Sequence, residues 1–153
     1  MLLVDANVWL ELLLDQEQAG QVRDFLRAVP LDEIAITDFA LHLVGIVLAR
    51  NKRDDLFVRF ISDLLVDTGV RYVSLDFTDL MAVTKTRERF PLDFDDAYQY
   101  VAAEEHDLTL VSFDADFDRT ERGRKTPADI LGEPPIARDK PPTKPARRRR
   151  RKP

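Results

Sequence analysis

The chain contains no cysteine among its 153 residues. Disulfides, thiolate zinc sites and a cysteine nucleophile are therefore excluded. The lack of cysteine fits a reducing, cytoplasmic setting. No apolar run approaches the roughly 18 residues that cross a bilayer, so no membrane association is expected. The N-terminus has no basic stretch before its first apolar residues, which argues against a secretory signal. Apolar side chains make up 44% of the sequence, enough for a single core.

Charge is unevenly distributed. Between Glu133 and Pro153 stand nine basic residues against Glu133 and Asp139, a net +7; the whole chain carries −5, which leaves −12 on residues 1–132. The basic segment also holds Pro134, Pro135, Pro141, Pro142, Pro145 and Pro153. With so little apolar content it cannot bury enough surface to fold, and residues 132–153 read as a disordered tail following a globular domain of residues 1–131. Its run Arg147, Arg148, Arg149, Arg150 and Arg151 can neutralise several phosphates and would give salt-dependent RNA binding; a solubilising terminus without further role is the alternative.

Within the globule, strand-like and helical segments alternate. Met1 to Val4, Ile34 to Ile36, Val70 to Val73 and Leu108 to Val111 read as short buried strands. Helices are expected over Asn7–Leu14, Gln16–Val29 (ended by Pro30), Asp38–Arg50 with Thr37 as N-cap, Asp54–Val66, Phe77–Arg89, and from Asp93 to about His106. In the fourth of these, Leu56, Phe57, Phe60, Ile61, Leu64 and Leu65 form an apolar stripe. Phe77, Leu80, Met81 and Thr84 share one side of the fifth. Thr126 to Leu131 reads as a last edge strand. The alternation implies an α/β fold: a three-layer α/β/α sandwich around a central, mostly parallel sheet.

Acidic residues fall where this architecture places chemistry. Asp5 follows the first strand and precedes a helix, so it reads either as an N-cap or as a ligand at the carboxyl edge of the sheet. Asp114 and Asp116 follow the last central strand in Leu110-Val111-Ser112-Phe113-Asp114-Ala115-Asp116-Phe117, and either could cap the short helix that follows while the other binds metal. Asp93, Asp95 and Asp96 crowd one helix start, more acids than a cap requires. Asp38 and His42 lie four apart on one helix face, as a metal-site acid and a polar supporter or as a first-turn dipole partner and an ordinary half-buried residue. His106 fits a helix end. Carboxylates converging on one edge repel one another unless a cation intervenes, and oxygen-only ligands suit Mg²⁺ or Mn²⁺.

Three segments, Leu3-Val4-Asp5-Ala6-Asn7-Val8-Trp9, Asp95-Asp96-Ala97 and Leu110 to Phe117, in this order, resemble PIN-domain ribonucleases, specifically the VapC-like toxins of bacterial toxin–antitoxin systems. The likeness covers roughly residues 1–131. It implies a metal-dependent endoribonuclease with a PIN-like fold, using one or two Mg²⁺ or Mn²⁺ ions and leaving 5′-phosphate and 3′-hydroxyl ends. Carried over, Asp5, Asp96 and Asp114 become metal ligands, Asp116 matches the second acid of the last motif, and Asn7 and Ser112 match polar positions that support the site. The family usually has Glu in the helix after the second strand; here Asp38 is the one acid between Ile34 and Arg50, and His42 stands nearer the usual Glu position. The resemblance also implies a cognate antitoxin protein and a homodimer, for which the apolar stretches Val8–Leu14 and Leu56–Leu65 are candidates. A non-catalytic module binding RNA or protein is the alternative. A phosphatase of the HAD type also opens on a strand and Asp, but its chemistry needs a second carboxylate two residues on, where Asn7 stands, and a glycine-rich turn that is missing.

Overall fold

The computed structural model describes residues 1–66 and 69–132; the proline- and arginine-rich segment, with its five consecutive arginines, lies outside them. Four parallel strands form one sheet in the order β3-β2-β1-β4. They are β1 (Leu2–Val4), β2 (Ile34–Thr37), β3 (Arg71–Val73) and β4 (Thr109–Val111). Leu3 of β1 lies opposite Ala35 on one side and Leu110 on the other. The intervening chain forms α1 (Ala6–Leu13), α2 (Ala19–Ala28), α3 (Asp38–Arg50), α4 (Asp54–Leu65), α5 (Phe77–Arg89), α6 (Phe94–Glu105) and α7 (Pro127–Gly132).

The period-2 geometry of a strand sorts these residues into two cores. Leu2 and Val4 of β1, Ile34 and Ile36 of β2 and Val111 of β4 point to one side, where α1, α2, α3, α4 and α7 cover them. Leu3, Ala35 and Leu110 point to the other, against Val83 of α5 and Ala97, Val101 and Ala102 of α6. The result is the three-layer α/β/α sandwich that the alternating pattern implies. Both central strands are buried on both faces, hence their apolar sequences, broken only by Thr37 at the end of β2. The open edge beyond β4 is partly closed by Lys125, which bonds through its backbone to Leu110 and Ser112.

One expectation changes. Thr126 to Leu131 is not an edge strand: Pro127–Gly132 is helical, and all that remains of strand pairing is a bridge between Val111 and Lys125. The reason is local. Thr126 Oγ1 accepts from the Asp129 backbone N at 3.2 Å, the Asp129 carboxylate accepts from the Thr126 N at 2.7 Å, and Pro127 occupies the first helical position. On α5, the side carrying Phe77 and Met81 faces water, at 91% and 63% exposure, while Val83 and Thr86 face the core. From α1 and α4, Val8, Trp9 and Phe60 are buried, with Leu10, Leu12, Leu13, Leu56, Phe57 and Leu64 packed against them. Gly45 of α3 leaves room for the Phe57 ring of α4, which a methyl group there would meet at 2.9 Å.

Candidate metal centre

Parallel strands separated by returning helices bring every strand end and the next helix start to one rim. β1 delivers Asp5 there, β2 delivers Thr37 and Asp38, and β4 delivers Ser112 to Asp114. The helix that runs back toward β4, α6, must start at the same rim, which is where its first-turn acids Asp95 and Asp96 stand.

Asp5 is the buried floor of this rim, 6% exposed. It caps α1 through a 2.7 Å bond from the Ala6 N to Oδ1. Oδ1 also accepts from Gln99 Nε2 at 3.3 Å, and Oδ2 accepts from Asn7 Nδ2 and from Ser112 Oγ, both at 2.8 Å. Four donors on one carboxylate match its lone-pair capacity and hold it in one orientation. Ser112 Oγ is equally committed: it donates to Asp5 and accepts from Asn7 Nδ2 at 2.9 Å and from the Asp114 N at 3.0 Å. Asn7 Oδ1 accepts from the Phe113 N at 3.2 Å. Asn7 and Ser112 thereby stitch the β1–α1 junction to the loop leaving β4.

Above this floor, Asp96, Asp114 and Asp116 each present a carboxylate oxygen within 4.8 Å of the other two, all half-buried. Asp114 Oδ1 accepts from the Asp116 N at 2.8 Å, capping a 3-10 helix over Ala115–Arg119. Arg119 pairs with Asp116. Burial, then the carboxylates of Asp95, Asp114, Asp5 and Asp93, push Asp96 up to about 7. Burial pushes Asp5 up to about 6, against the stabilising bonds from Ser112 and Ala6, with Asp95 and Asp114 adding repulsion. An all-oxygen set in which two members resist ionisation near neutrality fits a hard divalent cation such as Mg²⁺ or Mn²⁺, whose charge reverses that penalty. Asp96, Asp114 and Asp116 have the reach to hold one, with Asp5 coupled to them from below.

Asp38 is placed differently. Its Oδ1 accepts from the Tyr98 hydroxyl and from the Phe39 N, both at 2.7 Å, and it does not join the three-carboxylate group. His42 is exposed, and its Nδ1 donates to the Asp38 carbonyl oxygen one turn back at 2.6 Å. His106 is the C-cap residue of α6.

Sequence reading passed over two contributors, Gln99 and Arg119. Gln99 is 2% exposed and links Asp5 to Thr37, whose hydroxyl donates to Oε1 at 3.2 Å. Its signal was available: one amide inside the otherwise apolar and aromatic run Ala97 to Ala103 must have polar partners. Asp95, already singled out at the helix start, adds repulsion to Asp5 and Asp96; Arg119 is visible only once the 3-10 turn brings it beside Asp116. Replacing Gln99 by Leu should lower stability by about 1–3 kcal/mol, because Thr37 loses its acceptor and Asp5 a donor. Urea denaturation measures this, and an unshifted midpoint would remove Gln99 from the account.

The profile of the PIN domain family matches residues 2–123. The chain belongs to the PIN domain family. Solved PIN-like structures show the same fold at low identity. VapC20 of Mycobacterium tuberculosis, described as a Sarcin-Ricin loop cleaving toxin, superposes with a TM-score of 0.68 at 17% identity, over 77% of this chain and 93% of that one. A toxin–antitoxin complex from Klebsiella pneumoniae gives 0.66 at 20% identity, over 83% and 98%. VapBC2 from Rickettsia felis, bound to a fragment of its promoter DNA, gives 0.62 at 13% identity, over 80% and 95%. No curated protein matches the chain in sequence. Within this PIN domain, the rim acids and their supporting Asn7 and Ser112 come from all three segments in which the resemblance was read.

Proposed function

We propose that the protein is a metal-dependent endoribonuclease that hydrolyses RNA phosphodiesters and serves as the toxin of a toxin–antitoxin pair. The observation that carries the reading is the convergence of Asp96, Asp114 and Asp116 within 4.8 Å at one rim. These three would hold the ion, with Asp5 approaching from the sheet edge. A divalent ion supplies positive charge there, offsetting the charge that develops on phosphate and making water a better nucleophile. The remaining work belongs to the chain. Ser112 and Asn7 fix the Asp5 carboxylate, Gln99 ties it to Thr37, and Arg119 places a guanidinium beside Asp116 where an incoming phosphate can meet it. As the family resemblance implies, the products would carry 5′-phosphate and 3′-hydroxyl ends.

The first test is cleavage of a panel of structured and unstructured RNAs by the purified protein. Cleavage should require Mg²⁺ or Mn²⁺ and stop with a chelator. RNA binding without cleavage would replace the enzyme with a binding module. Partner antitoxin, homodimer and a cytoplasmic setting complete the proposal; the antitoxin is supported by the Klebsiella and Rickettsia complexes being of that kind. A monomeric mass by light scattering would remove the dimer. Among the described residues no helix is long and apolar enough to cross a membrane.

The domain of residues 1–131 carries the rim acids, and the basic tail after it supplies attraction for RNA that the acidic globule lacks. Truncation after Leu131 should weaken RNA binding and flatten its salt dependence. The five consecutive arginines alone, on a single strand, correspond to a change in log–log slope of roughly 3.5, at about 0.7 per phosphate. An unchanged slope would dismiss the tail.

A further inference from the structure

Three aromatic rings stand in a row beside the acidic rim. Phe94 opens α6, one residue after Asp93 and two before Asp96, and is 43% exposed. Its ring lies 5.9 Å from that of Phe39, tilted at 46°. Phe39 stacks on Tyr98 at 5.0 Å and 28°. Tyr98, the innermost ring, is locked at its hydroxyl, which donates to Asp38 at 2.7 Å and accepts from the Leu75 N at 3.0 Å. The row adjoins the acidic floor through Gln99, the neighbour of Tyr98, which bonds Asp5.

Tyr98 belongs to the core on this side of the sheet and Phe39 packs against it, but Phe94 lies outside both cores. A first-turn position open to water gains little from a large apolar side chain, and acids flank it on both sides. The chemistry that matches an open ring, rigidly backed and set among carboxylates, is the uncharged face of a nucleobase. Stacking needs no positive charge, and an acidic surround turns away phosphates except where a cation sits. Bases within a duplex have no free face, so only an unpaired nucleotide can use such a surface.

We propose that Phe94, backed by Phe39 and Tyr98, is a stacking platform for an unpaired base next to the scissile phosphate. The proposal rests on the nuclease reading for the word scissile, but the platform itself is a binding surface. It also gives Asp38 a task in this chain: it is a positioning residue that holds Tyr98, and through it the platform.

The test uses the full chain and a short single-stranded oligoribonucleotide carrying 2-aminopurine, with Phe94→Ala, Phe94→Leu and Phe94→Trp compared with wild type. Wild type should quench the fluorophore on binding, with or without divalent ion. Phe94→Ala and Phe94→Leu should lose the quench and raise KM for single-stranded RNA about tenfold, with kcat changed far less; Phe94→Trp should restore both. An abasic site at the stacked nucleotide should erase the difference between wild type and Phe94→Ala. Mn²⁺ affinity should be the same in all four proteins. Absence of quenching by wild type, a Phe94→Leu protein that behaves as wild type, or equal cleavage of duplex and single strand would overturn the platform. Quenching without any metal-dependent cleavage would uphold the platform and overturn the nuclease reading, so the two failures are distinguishable.

Discussion

Asp96→Asn should lose RNA cleavage by about a thousandfold or more while making the metal-free protein more stable at neutral pH. The two effects have one cause. Asp96 shares its rim with Asp114 and Asp116, with Asp95 and Asp93 on the same helix start and Asp5 below. An ion in that setting contributes several kcal/mol to a phosphoryl transition state, and a tenfold rate change follows from about 1.4 kcal/mol. Asparagine keeps the shape but removes a charged ligand. Without the ion, the same charge is a liability: burial and neighbouring carboxylates oppose the ionisation of Asp96, which is pushed up to about 7. Removing it relieves that opposition. Asp5→Asn should also abolish cleavage, but with a smaller stability gain, because its carboxylate receives four hydrogen bonds, two of them from Asn7 and Ser112. Cleavage assays and chemical denaturation at pH 7.5, both without and with Mn²⁺, check this. Undiminished cleavage by both variants would overturn the assignment of the rim acids.

The metal-free wild-type protein should become less stable as pH rises from about 4 to about 7. The sign follows from proton binding. Asp5 and Asp96 hold their protons more tightly in the folded state, up to about 6 and about 7, than at the ordinary value of 3.8. Within that window the folded state binds more protons than the unfolded state, so raising the pH favours unfolding. Below about 4 both states are protonated and the penalty is absent; above about 7 it is complete. For Asp5 it amounts to about 3 kcal/mol at about 1.4 kcal/mol per pKa unit, and solvent screening makes the half-buried Asp96 contribute less than its larger shift implies. Divalent ion should reverse the trend. Saturation at about a hundred times Kd adds roughly 2.7 kcal/mol, and more at high pH, where the ligands are already ionised. Unfolding midpoints at pH 5 and pH 8, with and without Mn²⁺, give the four numbers needed. A metal-free protein equally stable at both would remove the electrostatic strain from the account.

The fold was readable because its signals are local. Short strands buried on both faces show as unbroken apolar runs, and each of the rim acids Asp5, Asp96 and Asp114 adjoins a strand end or a helix start. Asp116 is ordered by the cap that Asp114 provides, a two-residue signal. What was not readable depends on contacts distant in sequence. Asp38 meets Tyr98 across 60 positions, and nothing near Asp38 announces that an aromatic hydroxyl, rather than the other rim acids, will engage it. Gln99 reaches Asp5 across 94 positions. On α5 helical periodicity identifies a face but not its direction: Val83 and Thr86 face the core while Phe77 and Met81 face water. At Thr126 the β-branched residue reads as strand, yet a reciprocal side-chain cap with Asp129 and a proline at the first helical position decide for helix.

Isothermal titration of Mn²⁺ into the metal-free protein near pH 6.5, run in two buffers of different ionisation enthalpy, addresses the shared cation most directly. Binding should be seen at millimolar ion or below and should release protons, because Asp96 and part of the Asp5 population must give theirs up; it should weaken sharply in Asp96→Asn and in Asp114→Asn. No heat of binding at millimolar Mn²⁺, or the same affinity in both variants as in wild type, would contradict a cation held by this rim.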